Sequence, residues 1–149
     1  MTLREWAEVY RADVVEEAPR REVVAELTGV ADRELRDAQT VESPDGRLGH
    51  AHTACLALAA CALAASGYRV RQGSAAHHWR LIESLEYTLG LSRSEVKQLQ
   101  DNRRKRSRSV YERTGTITGT EGGAALDAAR RLRSRLAAWL TQEHSDLAS

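Results

Sequence analysis

The apolar positions of this chain recur at helical spacing in nearly every segment, and no run alternates apolar and polar residues as a half-buried strand does. Leu3, Trp6, Val9, Tyr10 and Val14 share one face behind a capping box of Thr2 and Glu5, which predicts a first helix that Pro19 ends. Val23, Leu27, Val30, Ala31 and Leu35 predict a second helix over residues 20–38, highly charged on its remaining face. Together these two read as an acidic amphipathic hairpin, residues 1–38. Ser43-Pro44-Asp45-Gly46 has the residue order of a tight turn. The next helix, Leu48 to Ser66, is rich in Ala and apolar on nearly all sides, with Gly67 as its stop. A helix without a polar face belongs in the middle of a bundle.

Ser74 is placed to cap a fourth helix carrying His78, Leu81, Ile82, Leu85 and Leu89, with Gly90 as its stop. Ser92 and Glu95 form a second capping box and open a basic helix over residues 93–113. Residues 114–123 hold four Thr and four Gly and read as a flexible connector. A last helix over residues 124–142 presents Ala125, Ala129, Leu132, Leu136, Trp139 and Leu140 to the core. The expectation is an all-α, up-and-down bundle of about five to six helices. It forms one domain, residues 1–149, with its core in residues 48–142.

Length and composition agree with one domain: 149 residues, of which 42% are hydrophobic, can bury a single sizeable core. The longest uninterrupted apolar run, Ala54–Ala65, has 12 residues against the roughly 20 that span a bilayer. The N-terminus lacks the charged-then-apolar pattern of a signal peptide. A cytoplasmic protein with no membrane role is the expectation. Cys55 and Cys61 stand six residues apart on one helix, roughly 9 Å along its axis, too far for a disulfide, and read as buried thiols.

Charge is nearly balanced overall, with 22 basic and 21 acidic residues, but it is unevenly distributed. Residues 1–47 carry 7 basic and 12 acidic groups, whereas residues 93–113 carry 8 basic and 3 acidic ones. The basic helix also breaks its own pattern. Val96 and Leu99 begin an apolar stripe that continues onto Arg103, Arg106 and Val110, so two arginines occupy core-facing positions. Arg103/Arg106, Lys105/Arg108 and Arg104/Arg108 are like-charge neighbours, each pair weakening an isolated helix by about 0.2–0.5 kcal/mol. Something acidic must therefore lie nearby: carboxylates of the first two helices, a second subunit, or a phosphate. Arg103, Arg104, Lys105, Arg106 and Arg108 are the candidate anion-binding residues, because guanidinium groups match phosphate geometry. The alternative is a solvated face salt-bridged to the acidic hairpin, or one that docks an acidic protein partner.

The helix order, the end of the Ala-rich helix in Ser66-Gly67-Tyr68-Arg69, the opening Ser74-Ala75-Ala76-His77-His78 and the segment Arg104-Lys105-Arg106-Ser107-Arg108-Ser109-Val110-Tyr111-Glu112 resemble the HEPN superfamily (higher eukaryotes and prokaryotes nucleotide-binding) over residues 20–142. That resemblance implies a homodimeric helical bundle with an RNA- or nucleotide-related role. Such domains are often ribonucleases, and toxin or defence components paired with a nucleotidyltransferase. The family signature is Arg, a polar residue, then His after four to six intervening positions. Arg106 and Ser107 match its start, but Tyr111 stands where His would fall. A phenol near pKa 10 is a poor base at neutral pH, so Arg106 and Tyr111 mark a degenerate catalytic pair.

His77 and His78 are auxiliary candidates if folding brings the fourth helix against the basic one, and Asn102 and Ser107 are their polar neighbours on that helix. None of the five His shows the i, i+4 spacing that sets two imidazoles on one helix face, so no metal is expected, and no cofactor. Trp6, Trp79 and Trp139 read as packing anchors, and Glu83 and Glu86 as solvent-facing.

Overall fold

A helix that is apolar all round must be covered all round, and this requirement sets the architecture. We analysed a computed structural model of the chain, which describes residues 1–111 and 114–148, with the Tyr111 side chain outside the described part. In chain order the elements are α1 (Leu3–Val9), β1 (Val14–Glu16), α2 (Arg21–Thr40), α3 (Pro44–Ala65), β2 (Tyr68–Val70), α4 (His77–Thr88), α5 (Arg93–Tyr111) and α6 (Gly119–Glu143). The expected all-α bundle is present, with six helices among the described residues. The Ala-rich helix α3 runs through its middle, contacting α2, α4, α5 and α6. Leu48, Ala51, Ala54, Leu58, Cys61, Ala62 and Leu63 on α3 are buried. By length and composition α3 could cross a membrane, which the 12-residue apolar run did not suggest, but two-thirds of its most apolar window is buried inside the bundle. Burial pushes the Cys55 thiol up to about 12, and Cys61 is raised as well; both cysteines are free.

Several boundaries differ from expectation for local reasons. The Ser43-Pro44-Asp45-Gly46 turn is the first turn of α3: the Ser43 hydroxyl accepts the Gly46 N–H at 3.0 Å, and Pro44 occupies the position where a missing N–H costs nothing. The Thr/Gly connector is shorter than expected. Thr118 and Glu121 form a capping box that starts α6 five residues early, at Gly119. Ser74 caps no helix; its hydroxyl donates to Asp13 at 2.8 Å and accepts from Ala76 N–H.

The acidic hairpin does not form. Helix α1 stops at Val9, and Val14 leaves its expected helical face to pair with Val70 in a two-stranded antiparallel ladder, Val14↔Val70, Val15↔Arg69 and Glu16↔Tyr68. Strands of three residues are too short to show alternation in sequence. Helix α1 then packs against α4, while α2 packs against α3 and α6. Glu83 is correspondingly not solvent-facing. It accepts the indole N–H of both Trp6 and Trp79 and pairs with Arg80 at 3.1 Å. Arg80 also holds Asp13 and lies 3.7 Å over the Tyr10 ring, so one polar knot fastens α1 to α4.

Helices α3 and α6 meet at Gly122, where an added Cβ would lie 3.1 Å from the Pro44 carbonyl oxygen and 3.4 Å from its Cα. The neighbouring Gly123 has nothing within 4 Å. Gly122→Val should therefore cost about 1–3 kcal/mol by forcing the helices apart, whereas Gly123→Ala should gain about 0.5–1 kcal/mol from helix propensity. Urea denaturation checks both; a Gly122→Val variant as stable as the parent would contradict the close approach.

Candidate anion-binding site

Helix α5 begins as an ordinary amphipathic helix, with Leu99 buried, and then turns a polar face inward. Gln100, Asn102 and Ser109 are buried, whereas Val110, expected in the core, is 53% exposed. The stripe is displaced because polar partners await the inward groups. Gln100 donates to the Trp79 carbonyl at 3.0 Å and accepts from Arg103 Nε at 3.2 Å. Ser109 donates to the Asp45 carboxylate in the first turn of α3, which also accepts the Gly115 N–H at 3.0 Å. These contacts hold the Asp45 carboxyl below the usual carboxylate range, the Ser109 hydroxyl contributing most.

The basic residues of α5 fall into two groups. Lys97 and Arg104 both pair with Asp101, the former at 3.0 Å, and Lys105 reaches Glu121 in the first turn of α6 at 3.1 Å. These pairs lower the Asp101 carboxyl, with the Lys97 hydrogen bond as the largest cause. The Glu121 carboxyl is lowered chiefly by the Thr118 N–H and then by Lys105. Four acidic groups of the N-terminal part pair away from the basic helix: Asp32 with Arg133, Asp13 with Arg80, Glu17 with Arg69 and Glu34 with His50. Arg103, Arg106 and Arg108 have no carboxylate oxygen within 4.0 Å among the described residues. Arg108 and Ser107 point to solvent, while Arg103 and Arg106 are half-buried.

Arg106 lies against Gly49 of α3, where a Cβ would stand 3.0 Å from its Nε, so a larger residue there would push the guanidinium outward. Arg103 sits 5.2 Å from the Trp79 ring centroid. Beside both arginines stands an imidazole that the sequence did not single out. His52 on α3 is 5% exposed, with its ring 6.3 Å from that of His78 on α4. Its nitrogens make no hydrogen bond among the described residues. Burial lowers the His52 pKa to about 4, with Arg106, His78 and Arg103 adding to the shift. His78 is also lowered, first by burial and then by His77, Arg106 and Arg103. Both rings are therefore neutral at pH 7. His77 is drawn away to the Arg71 carbonyl at 3.1 Å.

Of the sequence candidates, Arg103, Arg106 and His78 come together, and Asn102 is buried on the Arg106 side of α5. Arg104 and Lys105 are engaged by carboxylates, and the Tyr111 side chain lies outside the described residues. Beyond Arg106 an open cleft of about 520 Å³ is lined by Gly49, His50, Thr53 and Ser109 and by the carboxylates of Glu34 and Asp45. Thr53 also lines a larger groove of about 640 Å³ whose walls include Leu56, Tyr68 and His78. One metal-compatible cluster occurs among the described residues: donor atoms of Glu34, Asp37 and His50 lie within 4.8 Å of one another, with His50 Nδ1 already 2.7 Å from Glu34.

The lowered His52 pKa links stability to pH. The unfolded chain takes up the proton near pH 6.5 and the folded one only near 4, so stability is full above 6.5 and falls as the pH drops through that window. This group alone should remove about 2 kcal/mol between pH 7 and pH 5. Urea unfolding at the two pH values should show the loss in the parent and a much smaller one in His52→Gln; a parent stability flat over this range would contradict the burial of a neutral imidazole.

The chain matches no family model, no curated protein and no solved structure.

Proposed function

We propose that this chain is a HEPN-like helical bundle that binds single-stranded RNA through α5, with Arg103 and Arg106 as the central phosphate contacts and Arg108, Ser107 and the partly paired Arg104 and Lys105 at the rim. The observation that carries the reading is the selective pairing on α5. Lys97 and Arg104 share the Asp101 carboxylate and Lys105 pairs with Glu121, whereas the half-buried Arg103 and Arg106 have the imidazoles of His52 and His78 as titratable neighbours and no carboxylate within 4.0 Å among the described residues. Two guanidinium groups held beside each other repel at close range unless an anion joins them. A phosphate backbone supplies such anions at regular intervals. In this reading a second copy of the chain closes the cleft, and the family resemblance adds a nucleotidyltransferase as partner and a toxin-like or defence role. The ribonuclease site is degenerate, since Tyr111 replaces the signature His beside Arg106.

Binding of a fluorescent single-stranded RNA should weaken steeply with salt, each phosphate contact contributing about 0.7 to the log–log slope. Arg103→Ala and Arg106→Ala should each reduce that slope by about one such contact. Lys105→Ala should change it less, because Glu121 already holds the ammonium. Fluorescence anisotropy over a salt series reads all three. Equal slopes in the parent and both arginine variants, or no binding at low salt, would transfer the basic helix to an acidic protein partner.

A further inference from the structure

We propose that Glu34, Asp37 and His50 form a binding site for a divalent first-row transition ion such as Zn²⁺. The site lies where α2 and α3 pack together, and it does not depend on the RNA-binding reading. Glu34 and Asp37 stand at i and i+3 on α2, so their carboxylates are neighbours on one helix face. His50 comes from the facing helix, α3. One carboxylate oxygen from each acid and one ring nitrogen of His50 all lie within 4.8 Å of one another. Ligands held by one such ion at about 2.0–2.2 Å stand about 3.0–3.5 Å apart in tetrahedral or adjacent octahedral positions. The closest pair, His50 Nδ1 and Glu34 Oε2 at 2.7 Å, has only to widen slightly to admit the ion, which takes the place of the proton between them.

Donor chemistry, charge and rigidity all distinguish this group from a surface ion pair. An imidazole nitrogen beside two carboxylates suits Zn²⁺, Mn²⁺ or Fe²⁺, whereas Mg²⁺ and Ca²⁺ take oxygen ligands. His50 serves Glu34, but Asp37 has no cation within 4.0 Å among the described residues, and a dication offsets both carboxylates at once. The backbone under the ligands is already fixed. Ala31 and Ala38 of α2 are buried, and Arg47 of α3 donates to the Ala38 carbonyl at 3.0 Å and to the Val41 carbonyl at 3.1 Å, tying the end of α2 to α3 beside Asp37. Glu34 and His50 also line the open cleft of about 520 Å³, from which water can complete the coordination shell. Two charged groups of that cleft stay outside the donor set. Arg106 is not within 4.0 Å of Glu34, and Asp45 is held by the Ser109 hydroxyl and the Gly115 N–H. Spacing along the chain hides the site, because the imidazole and the carboxylates belong to different helices.

The experiment titrates Zn²⁺, and separately Mg²⁺, into the chelator-treated full chain by isothermal calorimetry, with the melting temperature as a second readout. One equivalent of Zn²⁺ should bind with micromolar affinity and raise the melting temperature, and Mg²⁺ at the same concentration should do neither. Asp37→Asn and His50→Gln should each weaken Zn²⁺ binding by at least about tenfold. Asp37 is exposed and unpaired, so its variant should melt like the parent in the absence of metal and keep the comparison clean. His77→Gln, which removes one of the two adjacent imidazoles that could capture zinc elsewhere, should leave the affinity unchanged. Co²⁺ in place of Zn²⁺ should give visible absorption bands in the parent that His50→Gln loses. Absence of Zn²⁺ binding at micromolar concentration would overturn the proposal. So would equal binding by the parent, Asp37→Asn and His50→Gln, which would place the ion elsewhere. Neither result touches the RNA-binding reading, which the salt series tests on its own.

Discussion

The structure depends on enclosing α3. Its apolar surface is favourable to bury at roughly 25 cal/mol per Å², and its small side chains let α2, α4, α5 and α6 approach closely enough to do so. Gly122 brings α6 to the backbone of Pro44, and Gly49 admits the Arg106 side chain across the helix surface. The same enclosure carries His52 into the interior, because it shares a helix with residues that must be inside. Its imidazole is the polar exception in a helix otherwise buried through Ala, Leu and Cys.

The polar inner face of α5 is the counterpart of that exception. Asn102, Arg106 and Ser109 occupy positions where a bundle helix ordinarily carries Leu or Ala. Ser109 and Gln100 find fixed partners in Asp45 and the Trp79 carbonyl, which lock the helix against α3 and α4. Among the described residues, Arg103 and Arg106 receive no carboxylate within 4.0 Å. Buried or half-buried charges are retained in proteins chiefly where they have partners, so the pairing of Lys97, Arg104 and Lys105 beside the unpaired Arg103 and Arg106 separates groups that hold the surface together from groups left for a ligand. Of the acidic half of the chain, Asp13, Glu17, Asp32 and Glu34 pair with Arg80, Arg69, Arg133 and His50, and Asp45 accepts from Ser109 on α5.

Much of the fold is legible in the sequence because long helices write a strong period into it. The capping boxes at Thr2 and Ser92 appear as expected, as do the apolar faces of α4 and α6 and the central position of α3, whereas on α2 the buried positions are Val24, Ala31 and Ala38, with Leu27, Val30 and Leu35 only partly covered. What the sequence does not reveal is short or non-local. A strand of three residues has no period, so Val14 read as part of a helix, and the capping box at Thr118 was hidden in a Gly-rich stretch that resembles a linker. At the site, Arg103, Arg106 and His78 stood out by charge and position. His52 did not, because a histidine two residues from another, in a helix read as core, carries no signal until three helices assemble around it. The adjacent Gly49 was the available hint: a glycine inside a helix, where it costs about 1 kcal/mol relative to Ala, marks a close approach.

The central claim is that a neutral, unpartnered imidazole stands beside two arginines that wait for an anion. The most direct measurement is a pH titration of the His52 ring by NMR, with and without inorganic phosphate. The account predicts that the ring stays uncharged down to about pH 5, consistent with a pKa near 4, and that phosphate shifts its resonances together with the Nε signals of Arg103 and Arg106. A His52 that titrates near the ordinary value of about 6.5 and does not respond to phosphate would contradict it.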